Sequence, residues 1–401
     1  MEICSHDKCS GCNSCVNACP HGCISMEEDA LGVMHPVIDE HRCVHCNLCV
    51  RSCPNNVELE FNYPLKCYAS WVTDKEKRRI CASGGIGTAL SEYVIRHGGV
   101  VFGSRYDDKM FPVMSYAETL DELECYKGSR YVQSVVGGDT FHKVKHFLVN
   151  DRLVLFVGTP CQVAGLKTFL KKDFNNLITV DLICHGVCPT RYFVDEVEYL
   201  KQRYRINSLG DVRFRGNDGN NFRLSLWGKN GRRLFPRSGI FEKIFRIDEA
   251  QQFYIWGFLM GVSMRENCYS CKFSRPERIS DVTIGDFIGI GNIVPFGWPK
   301  ENVSSVTMNT PKGESFYEVV SYENDSLVNI SRDYRERLEY GPSLRYAFPR
   351  HKLNANFKKN YKAYGFVKGI RKTLRMEQLS RVIGFYLHNW SYVFHWLIGR
   401  F

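Results

Sequence analysis

A chain of 401 residues has room for two or three domains, and its 44% hydrophobic content suits a packed soluble core. The net charge of +10 does not describe the whole chain: residues 330–401 hold 15 Lys+Arg against 4 Asp+Glu, and the first 329 hold 38 against 39. With no recognition motif for DNA or RNA and a near-neutral body, nucleic acid is not expected as a partner. The chain has 18 cysteines, and its opening, MEICSHDKCS, has no apolar run. They are therefore expected to serve metal and redox chemistry in a reducing cytoplasm rather than a disulfide scaffold.

In chain order, the first element is a doubled cysteine spacing. Cys9, Cys12, Cys15 and Cys19 precede Pro20, and Cys43, Cys46, Cys49 and Cys53 precede Pro54. Each copy reads C-x2-C-x2-C-x3-C-P, the spacing of a two-cluster ferredoxin in which the fourth cysteine of each run serves the other cluster. The predicted ligand sets are thus Cys9, Cys12, Cys15 and Cys53 for one 4Fe-4S cluster, and Cys43, Cys46, Cys49 and Cys19 for the second. Zinc sites usually show two C-x2-C pairs instead. Cys4 and Cys23 lie outside the pattern and read as spare thiols. This module is predicted over residues 1–62, with short strands between Ile24 and Glu40.

An α/β alternation follows. Cys67–Val72 reads as a strand. Ser83-Gly84-Gly85-Ile86-Gly87 is a glycine-rich turn opening a helix to about His97, and Val100–Arg105 is a strand. Phe141–Val149 and Gln162–Lys171 read as helices; Leu153–Val157 and Leu177–Ile183 are continuous apolar runs, as expected of buried parallel strands. Tyr192–Tyr204 is helical, Val212–Trp227 holds strand pairs around Gly216-Asn217-Asp218-Gly219, Ala250–Val262 is an apolar helix, and Asp281–Asp286 is a strand.

Open α/β sheets bind ligands at the carboxyl ends of their strands. Two such ends carry cysteine, Cys161 in Gly158-Thr159-Pro160-Cys161-Gln162 and Cys184 in Ile183-Cys184-His185-Gly186-Val187-Cys188. With the pair Cys268 and Cys271 they make four thiols, the number a third cubane needs; Cys188 is the substitute for Cys184. The alternative is buried cysteine in apolar strands, which accounts for Cys67, Cys81 and Cys125. Clusters pass single electrons, so a two-electron substrate calls for a converter, usually flavin. The turn at Ser83–Gly87 offers a helix start to a pyrophosphate, although such turns are mostly only turns.

Five motifs occur in order: Ala82-Ser83-Gly84-Gly85, Tyr126-Lys127-Gly128-Ser129-Arg130-Tyr131, Gly158-Thr159-Pro160-Cys161-Gln162, Ile183-Cys184-His185-Gly186 and Asp281-Val282-Thr283-Ile284-Gly285-Asp286-Phe287. Over about residues 1–300 the chain resembles the coenzyme F420 hydrogenase/dehydrogenase beta subunit family, preceded by a ferredoxin domain. The resemblance implies an iron–sulfur flavoprotein that binds FAD and exchanges electrons with a two-electron partner, either coenzyme F420 or another small organic substrate. It implies Ser83, Gly84 and Gly85 at FAD; Lys127, Ser129 and Tyr131 along the flavin; and Gly158, Thr159 and Pro160 against the ring. Lys127 is a candidate for stabilising negative charge on a reduced flavin, with a solvated surface pair with Arg130 as the alternative. Asp286 either orients the cofactor or caps a turn. His185 is a candidate proton donor, or a hydrogen-bonded loop histidine.

The expected architecture is an α+β ferredoxin-like N-terminal module followed by an α/β flavin-binding domain with a mostly parallel sheet. Its two regions, 66–150 and 151–310, precede a basic, aromatic-rich tail over 330–401. Within the tail, 366–401 mixes basic residues with Phe385, Tyr386, Trp390, Tyr392, Phe394 and Trp396. Such a segment suits the inner face of an anionic membrane, and equally a helix packed on the body or a partner surface. The leading expectation is an oxidoreductase that accepts electrons from an electron-transfer protein. The alternatives are an electron-transfer subunit of a larger redox enzyme with no substrate of its own, and a ferredoxin-dependent tailoring reductase in surface-polysaccharide metabolism.

Overall fold

The computed structural model describes residues 1–215, 222–237, 248 and 251–398, and for 381–398 the backbone alone. The strands are β1 (Ile24–Glu28), β2 (Met34–Ile38), β3 (Lys66–Val72), β4 (Val100–Tyr106), β5 (Pro112–Ala117), β6 (Val154–Gly158), β7 (Leu177–Leu182), β8 (Asp211–Arg213), β9 (Ser225–Trp227), β10 (Arg233–Phe235), β11 (Val282–Asp286), β12 (Ser304–Met308) and β13 (Leu327–Ser331).

Eight of them form one sheet in the order β13-β3-β12-β11-β7-β6-β4-β5. The centre, β11-β7-β6-β4, is parallel, and β12, β13 and β5 run against it while β3 runs with it. Five of the eight strands therefore share one direction. The parallel core is where the apolar runs lie: Val154, Leu155, Phe156, Val180 and Val282 are fully buried, because helices cover both faces. Helices Ile86–Arg96 and Pro311–Tyr322 pack on one face through Leu90, Val94, Tyr317 and Val320. Helices Thr140–Val149 and Pro160–Leu170 pack on the other through Phe141, Val144, Val163 and Leu166. Strands from both 66–150 and 151–310 share this sheet, together with β13 beyond them.

Local chemistry sets the helix starts. Thr159 and Gln162 form a reciprocal capping box with Pro160 in the first turn. Thr310 caps Pro311–Tyr322 one way only, its side chain accepting from Gly313 N–H, again with proline at the start.

A second core joins the three-stranded sheet β10-β9-β8, helix Thr190–Tyr204, helix Phe253–Leu259 and the C-terminal helix Asn354–Ile398. The expected turn at 216–219 lies outside the described residues, and the apolar helix is shorter than Ala250–Val262. The C-terminal helix is broken at Gly365 (φ 72°, ψ −177°), a left-handed value that glycine tolerates. After the break, Phe366, Ile370 and Leu374 enter the second core. Arg371 donates to both oxygens of the buried Glu196, at 2.9 and 3.1 Å. This part of the tail is a packed helix rather than a free basic surface. The aromatic side chains from Phe385 to Trp396 lie outside the described side chains. Among the described residues no helix is long and apolar enough to cross a membrane.

The N-terminal module has the antiparallel hairpin β1-β2 and two short helices, Ser14–Ala18 and Leu48–Arg51. It is fastened to the body by polar contacts. Thr168 Oγ1 donates to Ser52 O at 2.7 Å, Phe141 N to Asn17 Oδ1 at 3.0 Å, and Gln133 Nε2 to Ser10 O at 3.0 Å.

Candidate functional site

The two cysteine runs fold alike. Gly11 and His45, each just before the second cysteine, have φ 66° and 52°; Asn13 and Asn47, each just after it, both have φ 59°. Left-handed residues on either side of a cysteine curl the loop so that its thiols converge on one centre. Glycine, asparagine and histidine are the residues that best accept such angles. The result is two cavities. One is lined by Cys9, Cys12, Cys15 and Cys53; the other by Cys19, Cys43, Cys46 and Cys49. The exchange of the fourth cysteine is thus visible in the packing. All four cysteines of the first cavity are buried, whereas in the second Cys49 is buried and Cys46 is exposed.

Each cavity also holds a fifth cysteine that the spacing leaves out. Cys4 lines the first and Cys23 the second, with Cys23 Sγ 3.3 Å from Cys19 Sγ. The Cys9 thiol is drawn down to about 4, first by its hydrogen bond with Cys4, then by His35 and by the Arg265 charge. The Cys12 thiol is instead pushed up to about 12 by burial and by the neighbouring sulfurs. Crowded, buried thiols of this kind are stable as thiolates only around a cation. The donor set fits an iron–sulfur cluster and gives little reason to exist without one.

Cys161, Cys184, Cys268 and Cys271 come from four places. Cys161 lies in the first turn of Pro160–Leu170, Cys184 follows β7, Cys268 sits in the short 3-10 helix Glu266–Ser270, and Cys271 follows it. Burial raises the thiols of Cys161, Cys184 and Cys268, and each is raised further by others of the four. Cys188 is not in this group: its Sγ lies 3.3 Å from Ser263 Oγ in the second core. Cys67 faces Ser305 across β3 and β12, as a packed core thiol.

Several polar groups of the glycine-rich turn are committed to the sheet. Ser83 Oγ donates to Val303 O at 3.1 Å, Gly84 N donates to Ser304 Oγ at 2.9 Å, and Gly84 O accepts from Val72 N at 2.8 Å. A Cβ on Gly84 would lie 2.4 Å from Ser70 O. These residues hold the turn against β3 and β12. Gly85, in the left-handed region, leads into Ile86–Arg96 with no side-chain cap. That uncapped start is the part of the turn that fits an anionic group.

Lys127 lies close enough to Cys81 to lower its thiol against the upward push of burial, and pairs with Glu124 at 2.5 Å. The alternative of two solvated surface residues does not hold for Arg130, which turns inward over the Tyr106 ring at 4.9 Å. Tyr131 and Asp286 are brought together by Arg215, a residue that the sequence reading missed, and Ser129 lies beside Tyr131. Arg215 Nη1 donates to both Asp286 oxygens at 2.9 Å, and burial, tempered by Arg215 and Ser129, pushes the Tyr131 hydroxyl up to about 12. Tyr131 stacks on Phe222 and Phe258, at 5.7 and 5.5 Å. His185 lies against Phe258 and Phe348, at 5.0 and 4.1 Å; burial keeps the imidazole below its usual range, and Nε2 has no hydrogen-bond partner. Gly158 ends β6 in a tight setting, where a Cβ would sit 3.1 Å from the Phe156 ring and 3.2 Å from the Gln162 side chain. Thr159 Oγ1 lies 3.2 Å from Cys161 Sγ.

Two family models match the chain. Residues 8–57 match the 4Fe-4S dicluster domain, and residues 151–328 match the C terminus of the coenzyme F420 hydrogenase/dehydrogenase beta subunit. No curated protein matches significantly. Among solved structures, a chain of the F420-reducing NiFe hydrogenase complex from Methanosarcina barkeri (a xenon derivative) is similar at 15% identity. The alignment covers 80% of this chain and 95% of that one, with a TM-score of 0.43. Residues 151–328 of this chain therefore carry the C-terminal domain of the coenzyme F420 hydrogenase/dehydrogenase beta subunit, and residues 8–57 a 4Fe-4S dicluster domain.

Proposed function

We propose that the chain is an iron–sulfur flavin oxidoreductase that moves electrons between three 4Fe-4S clusters and FAD, and exchanges them in pairs with coenzyme F420 or another small organic substrate. The observation that carries the reading is the contact of two cysteine groups. Helix Pro160–Leu170, which carries Cys161, packs at Gly165 directly on Cys12 of the first cavity. Cys19, Cys43, Cys46 and Cys49 would hold the outer cluster and Cys9, Cys12, Cys15 and Cys53 the inner one. Cys161, Cys184, Cys268 and Cys271 would hold the third, beside the carboxyl ends of the parallel strands. When bound, the clusters supply one-electron transfer and FAD supplies conversion to two-electron chemistry.

The remaining roles belong to side chains. The uncapped start of Ile86–Arg96, after Gly85, would bind the FAD phosphates, with Ser83 and Gly84 positioning the turn. Lys127 would offset negative charge at the ring, with Ser129 and Tyr131 lining it and Gly158, Thr159 and Pro160 closing the side toward Cys161. Tyr131 keeps its proton and acts as a hydrogen-bond donor. Asp286 is held by Arg215 and serves as an orienting group. His185, neutral, has its Nε2 available to relay a proton.

The test is anaerobic purification, counting iron, identifying released flavin, and adding reduced F420 or NADPH. About twelve irons and one FAD per chain, with bleaching by one donor, is the expected result. About eight irons removes the third cluster, and absence of flavin removes the mechanism.

A second reading, an electron-transfer subunit docked on a larger complex, is favoured by an exposed apolar lip just after β11. Ile288, Ile293, Val294 and Trp298 there are each about half exposed. Substrate reduction by the purified chain alone would count against it.

A further inference from the structure

The loop that carries Cys268 and Cys271 is bracketed by two cations that both reach back to the first cysteine cavity. Arg265, three residues before Cys268, is only 1% exposed. Its Nη2 donates to Cys9 O at 2.9 Å and to Met34 O at 3.2 Å, its Nη1 to Gln133 Oε1 at 2.9 Å, and its Nε to Asn267 Oδ1 at 3.3 Å. Gln133 in turn holds Ser10 O, so Arg265 is tied to the loop of Cys9 both directly and through one side chain. Lys272, the residue after Cys271, donates from Nζ to Pro54 O, next to Cys53. Neither cation has a carboxylate partner among the described residues.

A buried guanidinium without a counterion is costly to place. Every acceptor around Arg265 is a neutral oxygen, so the negative charge that would balance it has to come from the sulfur centres on either side. Arg265 lies near both Cys9 and Cys161, and Lys272 near Cys53, Cys12 and Cys271. Each one-electron reduction of a cluster adds one negative charge, and a fixed positive charge beside it favours the reduced form. The outer cavity lacks any equivalent buried cation among the described residues: Arg51, which donates to Cys46 O at 3.0 Å, is an exposed contact.

We propose that Arg265 and Lys272 form a cationic clamp across the junction between the Cys9–Cys12–Cys15–Cys53 cavity and the Cys161–Cys184–Cys268–Cys271 group. The clamp holds the two at a set separation and raises the reduction potential of the centres bound there above that of the outer centre. Electrons arriving at the outer cavity are thereby drawn to the junction. This rests on the iron–sulfur reading above. Arg265 and Lys272 act through the clusters and are positioning and tuning residues.

The experiment is an EPR-monitored titration with dithionite on the anaerobic full-length protein, comparing wild type with Arg265→Gln, Arg265→Lys and Lys272→Gln. Signals are assigned with Cys53→Ser and Cys19→Ser. Arg265→Gln is expected to shift the junction midpoint to lower potential and leave the outer midpoint in place, and Arg265→Lys to recover part of the shift. Lys272→Gln shifts it in the same direction by less, because that side chain is exposed and screened. It also provides a variant whose folding is not at stake. Unchanged junction potentials in iron-replete Arg265→Gln and Lys272→Gln overturn the clamp alone; wild-type protein without iron overturns the clamp and the iron–sulfur reading together.

Discussion

Gly165 stands directly against Cys12: a Cβ added to the glycine would lie 2.9 Å from Cys12 Cβ and 3.0 Å from its sulfur. Helix Pro160–Leu170 can approach the first cysteine loop this closely only because residue 165 has no side chain. Gly165→Ala should therefore push the loop and helix apart. The expected cost is about 1–3 kcal/mol, read by thermal unfolding, together with a weakened spin interaction between the centres on either side. An alanine variant with wild-type stability and unchanged EPR would show that the contact is loose.

The pairing of the fourth cysteines predicts crossed effects. Cys53→Ser should lose the centre of the first cavity and keep that of the second, and Cys19→Ser the reverse, each with about four fewer irons per chain. Loss of the Cys43–Cys46–Cys49 signal in Cys53→Ser would mean that each run binds its own cluster.

Cys184 and Cys188 are four residues apart and face different surroundings. Cys184→Ala is expected to lower iron from about twelve to about eight per chain, whereas Cys188→Ala should leave it unchanged, since Cys188 only packs beside Ser263. The opposite result in iron analysis would reassign the third group.

Arg371 holds the C-terminal helix to the body through Glu196, whose side chain is fully buried. Burial raises the Glu196 carboxyl above its usual range even with Arg371 present. An acid raised in the folded state contributes stability below its unfolded value, and that contribution is lost as pH rises through the folded value. Arg371→Ala removes the counterion and should cost about 3–5 kcal/mol at neutral pH. The loss should be smaller at pH 5, where Glu196 can take a proton, than at pH 8; equal losses in denaturant titrations at both would show that charge is not the cause.

The place of truncation matters for the tail. Deleting 376–401 leaves Phe366, Ile370 and Leu374 in the core and should give a folded protein. Deleting 366–401 removes all three, at about 1.5–3 kcal/mol each, and should not. Flotation of the shorter deletion with anionic liposomes then tests membrane contact: full-length protein floating and the truncation sinking would assign it to 376–401, and no flotation of either would end the idea.

Short-range chemistry was legible from the residues alone. The order of cysteines, prolines and glycines sets the curl of each cluster loop over a few bonds, so the grouping of eight thiols needed no knowledge of the rest of the molecule. The apolar runs at β6 and β7 mark buried parallel strands because both of their faces must leave water. What lay hidden were partnerships between residues far apart in the chain. Arg265 and Cys9 are 256 residues apart, and Arg215 and Asp286 are 71 apart. A lone arginine looks the same in sequence whether it meets solvent, a carboxylate or a cysteine loop. Likewise, nothing in Ser83-Gly84 reveals that their polar groups are turned into the sheet, or in Phe366–Leu374 that an amphipathic stretch covers a core rather than a membrane. Local backbone preference fixes which atoms converge within a loop; which loops then meet is decided by the packing of the whole chain.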